Sequence, residues 1–201
     1  MKGAAGMTTQ RKDALGRRDF TKLAGVFAFS VGSKIAWLTP AQAQAQGVAL
    51  KLLTDTQAAV LNHYGDALVP GAAKAGLAHF IDHQLAAPAP DNLLMIRYLG
   101  ILPPFDNFYQ SGAAALDAAA QARVGVGFAA LDAAAAAALV ADVARATPEG
   151  WQGPPPPFFH FVLRADALDV VYGGEQGAEA LGMPYMAHIT PPHPWRVNGD
   201  D

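Results

Sequence analysis

From residue 53 onward, apolar side chains recur at three- and four-residue intervals, in runs that proline or glycine repeatedly cut short. That period lays them along one face of a helix, and the punctuation limits each helix to a few turns. "LTDTQAAVLNHYGDALVPG" opens with Thr54 and Gln57 at capping-box spacing, sets Leu61, Tyr64 and Leu68 on one face, and stops at Pro70-Gly71. "GLAHFIDHQLAAP" repeats the pattern with Leu77, Phe80, Ile81 and Leu85. "DNLLMIRYLGILPP" predicts a further helix from an Asp91 cap to Pro103. Between Phe105 and Ala146 alanine dominates, with Asp117 and Asp132 as helix starts and Gly125/Gly127 as the break. "GPPPP" at 153–157 is a stiff spacer. After it, Phe158, Phe161, Val162, Ala165, Leu168 and Tyr172 are expected to form the apolar face of the last helix. Strand signals are nearly absent. The expected fold is all-α, a small helical bundle over residues 44–172.

The last stretch departs from this period. Residues 173–201 carry four glycines before Pro184, then Tyr185, Met186, further prolines and Trp195, with no sustained helical or strand repeat. A disordered tail is expected to be poor in aromatic and apolar residues, and this one is not. It is read as an extended, irregular C-terminal arm that wraps a partner, folding back over its own bundle being the other option.

The first 43 residues read as a targeting segment. Basic residues precede an Arg17-Arg18 pair followed by Asp19 and Phe20, and an apolar stretch runs from Leu23 to Leu38. The setting is that of a twin-arginine export signal. Ala41-Gln42-Ala43 has the small-residue form at which a leader is removed, so Ala41 and Ala43 mark the expected cleavage site. The apolar stretch is short for a spanning helix, which needs about 20 residues, and an uncleaved anchor is the lesser alternative. The leader holds seven of the chain's 14 Lys+Arg and two of its 17 Asp+Glu, so the remainder carries a net charge of −8. Such a domain is a poor binder of nucleic acid or of anionic membrane.

Twin-arginine export carries folded proteins, usually ones that have taken up a cofactor, yet no cofactor site emerges from the residues. The chain has no cysteine, which excludes disulfides, thiolate-held iron–sulfur clusters and c-type haem attachment. Ser111, the single serine after the leader, lacks a nucleophile elbow. His79 and His83 stand four apart with Asp82 between them and offer the alternative of a metal-dependent periplasmic enzyme. Phe80 and Ile81 beside them argue for plain packing. His63 and His160 fall within helices and are assigned to packing, and His188 and His193 lie among prolines of the arm. "GVGFAA" at 125–130 fits a dinucleotide pattern but follows a helix, not a strand, and is set aside. Asp166/Asp169 and Glu175/Glu179 have the spacing of solvated helix faces. By elimination, the cofactor belongs to a partner.

Two stretches carry a family resemblance. "LTDTQAAVLNHYGDALVPGAAKAGLAHFIDHQLA" (53–86) and "VVYGGEQGAEALGMPYMAHITPPHPW" (170–195) resemble the gluconate 2-dehydrogenase subunit 3 family, most of all the small (gamma) subunits of flavin-dependent sugar dehydrogenases such as FAD-dependent glucose dehydrogenase. The resemblance implies a non-catalytic subunit with no redox centre of its own. Its implied partners are a large flavoprotein of the glucose–methanol–choline type, which holds the FAD, and a multihaem cytochrome c subunit that carries haem c. The small subunit would support flavoprotein maturation and lend it the export signal, a hitchhiker arrangement that ends in the periplasm with the complex at the membrane. Arg17, Arg18 and Phe20 keep the signal, whereas Gly16 stands where Ser or Thr is usual and Thr21 where Leu is usual. Tyr172, Pro184, Tyr185, His188 and Trp195 are the expected partner contacts, because aromatics concentrate at interface cores. Substrate choice would lie in the flavoprotein. A free-standing structural protein is the third reading, and it requires a surface without an exposed apolar patch.

Overall fold

The computed structural model describes residues 25–146 and 148–183. Its central element is helix α2, Asp55–Leu68, which starts as its sequence dictates. The Thr54 hydroxyl accepts from the Gln57 backbone N–H, and the Gln57 side chain accepts from that of Thr54, satisfying two donors a helix start leaves open. Four helices pack on α2: α3 (Leu77–Leu85), α4 (Asp106–Val124), α5 (Ala133–Ala144) and α6 (Pro156–Tyr172). Surrounded in this way, α2 buries Val60, Leu61, Tyr64 and Gly65. The core gathers Leu77, Ile81, Tyr109, Leu116, Phe128, Leu139, Phe159 and Leu163 around them. The expected all-α bundle is the observed architecture.

Three local expectations are corrected. Residues 91–103 do not form an α-helix but two 3-10 turns, 89–91 and 95–99. Side chains have taken the backbone donors that a helix would need: Asn92 Oδ1 accepts from Leu94 N at 2.8 Å, and Asp166 Oδ1 from Met95 N at 2.8 Å. Asp117 does not start a helix. It lies within α4 and reaches across the Gly125–Gly127 break to accept from Phe128 N at 2.7 Å. Asp132 does cap α5, through Ala135 N at 2.8 Å. In α6 the buried face is Phe159, Val162, Leu163, Asp166 and Ala167, one position out of step with the expected one, so Phe161, Leu168 and Tyr172 face outward.

Both ends of the described chain also differ from expectation. A two-stranded antiparallel hairpin, β1 (Phe27–Val31) and β2 (Lys34–Leu38), precedes α1 (Pro40–Ala45). Gly32 and Ser33 make a two-residue turn, with Gly32 at φ +60°, a conformation that matches the strand twist and suits glycine. Phe29, Leu38, Ala43 and Val48 form a second, smaller core cluster. The hairpin and α1 lie in one compact unit with the bundle. At the other end, α7 (Glu175–Ala180) packs on α6 inside the segment expected to be irregular.

The tightest helix contact sets a test of this core. A Cβ on Gly112 of α4 would lie 2.1 Å from the ring of Phe159, which is fully buried and cannot swing aside. Gly112→Ala is expected to cost about 1–3 kcal/mol through overpacking. A lower denaturant midpoint at unchanged helical circular dichroism would show it; an unchanged midpoint would mean that α4 and α6 do not meet here.

Candidate functional site

The histidines and the aspartate of α3 do not converge on one ion. Asp82, 4% exposed, uses both carboxylate oxygens to collect three backbone N–H groups, those of Lys51, Leu52 and Leu53, at 2.8–2.9 Å. It thereby ties the turn that leads into α2 to α3. His79 Nε2 donates to the Val48 carbonyl at 3.0 Å and His83 Nε2 to that of Ala28 at 3.2 Å. A carbonyl only accepts, so each ring carries its proton on Nε2, and each Nδ1 is left buried without a partner. The His83 ring also sits between Phe27 and Phe29, with centroids 5.1 and 4.8 Å away. Burial pulls its pKa below the usual imidazole range. Among the described residues no group of three His, Cys, Asp or Glu side chains is placed to hold a metal.

The other candidates resolve into packing. His160 Nδ1 lies 3.2 Å from the hydroxyl of fully buried Tyr64. His63 stands edge-on to Phe128. Ser111 Oγ donates to the carbonyl of Asn107, one turn back on its own helix. The 125–130 glycines terminate α4 in a left-handed cap and lead into a 3-10 turn, not from a strand. A surface cavity of about 220 Å³ among Ala119, Arg123, Leu139, Asp142 and Glu149 is smaller than the roughly 300–1,000 Å³ usual for small-molecule sites.

Sequence reading missed a buried carboxyl. Asp166, expected on a solvated face, is 2% exposed and accepts from Tyr109 Oη at 2.7 Å and from Met95 N at 2.8 Å. It joins three pieces of the bundle: α4, α6 and the 95–99 turn. Its i, i+3 partner Asp169 is exposed, and partial desolvation beside the helix raises its pKa. No local pattern separates a buried from a solvated helical aspartate; the register of α6 decides it.

Of the expected partner contacts, Tyr172 lies outward at the end of α6, 36% exposed. Pro184, Tyr185, His188 and Trp195 lie outside the described residues, as do Arg17, Arg18 and Phe20. Phe161 and Leu168, 51% and 40% exposed, share the outward stripe of α6 with Tyr172 at helical spacing. Two of the elements packed on α6 also carry exposed apolar side chains at or just after them: Tyr98 and Leu99 in the 95–99 turn, with Ile101 and Leu102 directly after, and Leu181 and Met183 after α7. No helix among the described residues is long and apolar enough to cross a membrane.

Burial of Asp166 has a consequence for pH. It pushes the carboxyl from 3.8 up to about 7, against the lowering effect of its two hydrogen bonds. The folded chain therefore holds a proton that the unfolded chain releases, and this contribution to stability is full below about pH 4 and lost as pH rises through about 7. Asp166→Asn, which cannot titrate, is expected to cost about 1–3 kcal/mol at pH 4 for a disturbed buried network. Its deficit relative to the unmodified chain should shrink towards pH 8. Paired denaturant titrations at the two pH values would read this, and a deficit that grows with pH would contradict it.

Compared with known proteins, the chain matches the family model described as gluconate 2-dehydrogenase subunit 3 over residues 49–188. None of the curated proteins and none of the solved structures matches it. The matched span begins just before the Lys51–Leu53 turn held by Asp82 and takes in every helix from α2 to α7. The chain belongs to the gluconate 2-dehydrogenase subunit 3 family, a family named for one subunit of a dehydrogenase complex.

Proposed function

We propose that this chain is the non-catalytic small subunit of a periplasmic, FAD-dependent sugar or alcohol dehydrogenase complex. Its catalytic partner is a flavoprotein of the glucose–methanol–choline type, which it helps to mature and carries through the twin-arginine translocase. A multihaem cytochrome c subunit is the electron acceptor that completes the complex. The flavoprotein holds the FAD and chooses the substrate.

The observation that carries this reading is the outward apolar stripe of α6. Phe161, Leu168 and Tyr172 remain in water while the opposite face of the same helix is buried. Apolar surface left out of a core in this concentration marks a place where another protein sits. A stable obligate contact is expected to bury well over roughly 1,600 Å² in total, so the interface would have to extend beyond these three side chains. With a net charge of −8 beyond the leader and few basic residues, docking rests on apolar burial and not on charge steering. The family match supplies the kind of partner, a dehydrogenase catalytic subunit, and Arg17-Arg18 supply the route.

Two sets of variants test it. Phe161→Asp with Leu168→Asp places charges at the centre of the stripe without touching the core. Each change is expected to cost about 2 kcal/mol or more of binding, which is over tenfold in affinity. The flavin-coloured partner should then no longer co-purify, although helical circular dichroism is unchanged. Arg17→Lys with Arg18→Lys should leave both proteins in the cytoplasm, still associated. A chain that purifies alone and colourless from native cells in its unmodified form would reject the proposal.

A further inference from the structure

The stretch that reads in sequence as the end of a removable leader is built into the folded domain. Ala41 and Ala43 lie on α1, which is fixed at its start by a second capping box between Thr39 and Gln42, with Pro40 at the first helical position. Ala43 is fully buried in the small core with Phe29, Leu38 and Val48. Hydrogen bonds then join the segment to the bundle. Gln44 Nε2 donates to the Ala73 carbonyl at 3.0 Å, its Oε1 accepts from Asn62 of α2 at 3.4 Å, and His79 and His83 of α3 hold the Val48 and Ala28 carbonyls. The Gln44 side chain thus bridges α1 to both the 70s turn and the central helix. Gly76 shows how close the approach is. At φ +84° it lies under Pro40 and Ala41, where a Cβ would come within 2.3–2.6 Å of their backbone.

A leader peptidase recognises small side chains one and three positions before the cut, presented by an extended strand. On α1 the chain is helical, with Ala43 N bonded to Thr39 O at 2.9 Å and Gln46 N to Gln42 O at 3.0 Å. The side chain of Ala43 points into the core. Cutting between Ala43 and Gln44 therefore requires residues 39–48 to leave the domain and give up both the small core and these hydrogen bonds.

We propose that folding conceals the Ala41–Ala43 site, so that the leader stays attached and residues 25–48 act as a permanent clasp on α3. The cellular consequence rests on the export reading above. A protein that folds before it crosses the membrane meets the peptidase with this site already closed. The Phe27–Leu38 stretch then serves as structure, its apolar residues split between an inner face, Phe29 and Leu38, and an outer one, Ile35 and Trp37.

The purified full-length chain and a synthetic peptide of residues 30–50 are treated side by side with type I signal peptidase in detergent micelles, and the products are weighed by mass spectrometry. The peptide should be cut after Ala43 while the folded chain keeps its full mass. Gly76→Val, which pushes Pro40 and Ala41 away, should speed cleavage of the folded chain about tenfold or more, because cutting follows the population of the opened segment. His79→Ala, which frees the Val48 carbonyl without adding bulk, replaces it if that variant does not fold. Cleavage of the unmodified chain at the rate of the peptide overturns the proposal. So does a peptide that resists the enzyme, or a folded variant no faster than the parent. The N-terminal residue of the exported chain is read in parallel. A chain that never reaches the periplasm counts against the export reading alone and leaves the result with purified protein standing.

Discussion

The structure depends on Tyr64 having nowhere to go. It sits at the middle of α2, fully buried, with the rings of Phe128 and Phe159 at 5.7 and 5.6 Å. An aromatic of this size contributes strongly to the core, but its hydroxyl must find a partner there or lose a hydrogen bond that water would have given. His160 Nδ1 is that partner. Burial, and after it the charge of Arg164, lowers the His160 pKa, which favours the neutral ring that can accept from the phenol. Burial also raises the Tyr64 pKa, keeping the phenol protonated and able to donate. The pair fixes how α6 is rotated against α2, and that rotation decides which stripe of α6 is left outside.

Two buried aspartates organise the parts that are not helical. Asp82 gathers three N–H groups ahead of α2, and Asp166 takes Met95 N together with the Tyr109 hydroxyl. Each replaces the hydrogen bonds that regular structure would otherwise supply, which is how backbone with no helical partner can run against the core. They differ in what holds them. Asp82 receives three donors and anchors a turn, whereas Asp166 receives two, and burial raises its pKa to about 7.

Membership of the gluconate 2-dehydrogenase subunit 3 family and the exposed stripe of α6 point the same way. Among the described residues, His79, Asp82, His83 and Ser111, weighed as metal ligands or nucleophile, hold backbone carbonyls and amides, and the apolar side chains are divided between a closed core and an open surface.

The sequence by itself determined the helical class, the cap and stop of α2, the span of α3, the Asp132 start of α5 and the family, because each rests on local chemistry or on quoted motifs. Capping boxes and proline stops act over three or four residues, and no distant contact is needed to read them. What only the tertiary structure decided is which side of an element faces in. On α6 nearly every turn offers apolar residues on both sides, so Phe159 and Phe161 are equal candidates in sequence and only the fit against Gly112 and Tyr64 separates them. The helix expected over 91–103 failed because Asp166, over 70 residues away, claims one of its donors. The Phe27–Leu38 hairpin was hidden by its own composition: an apolar run serves equally as a leader or as a strand pair, and the side chains of α3 that receive it lie some fifty residues further on.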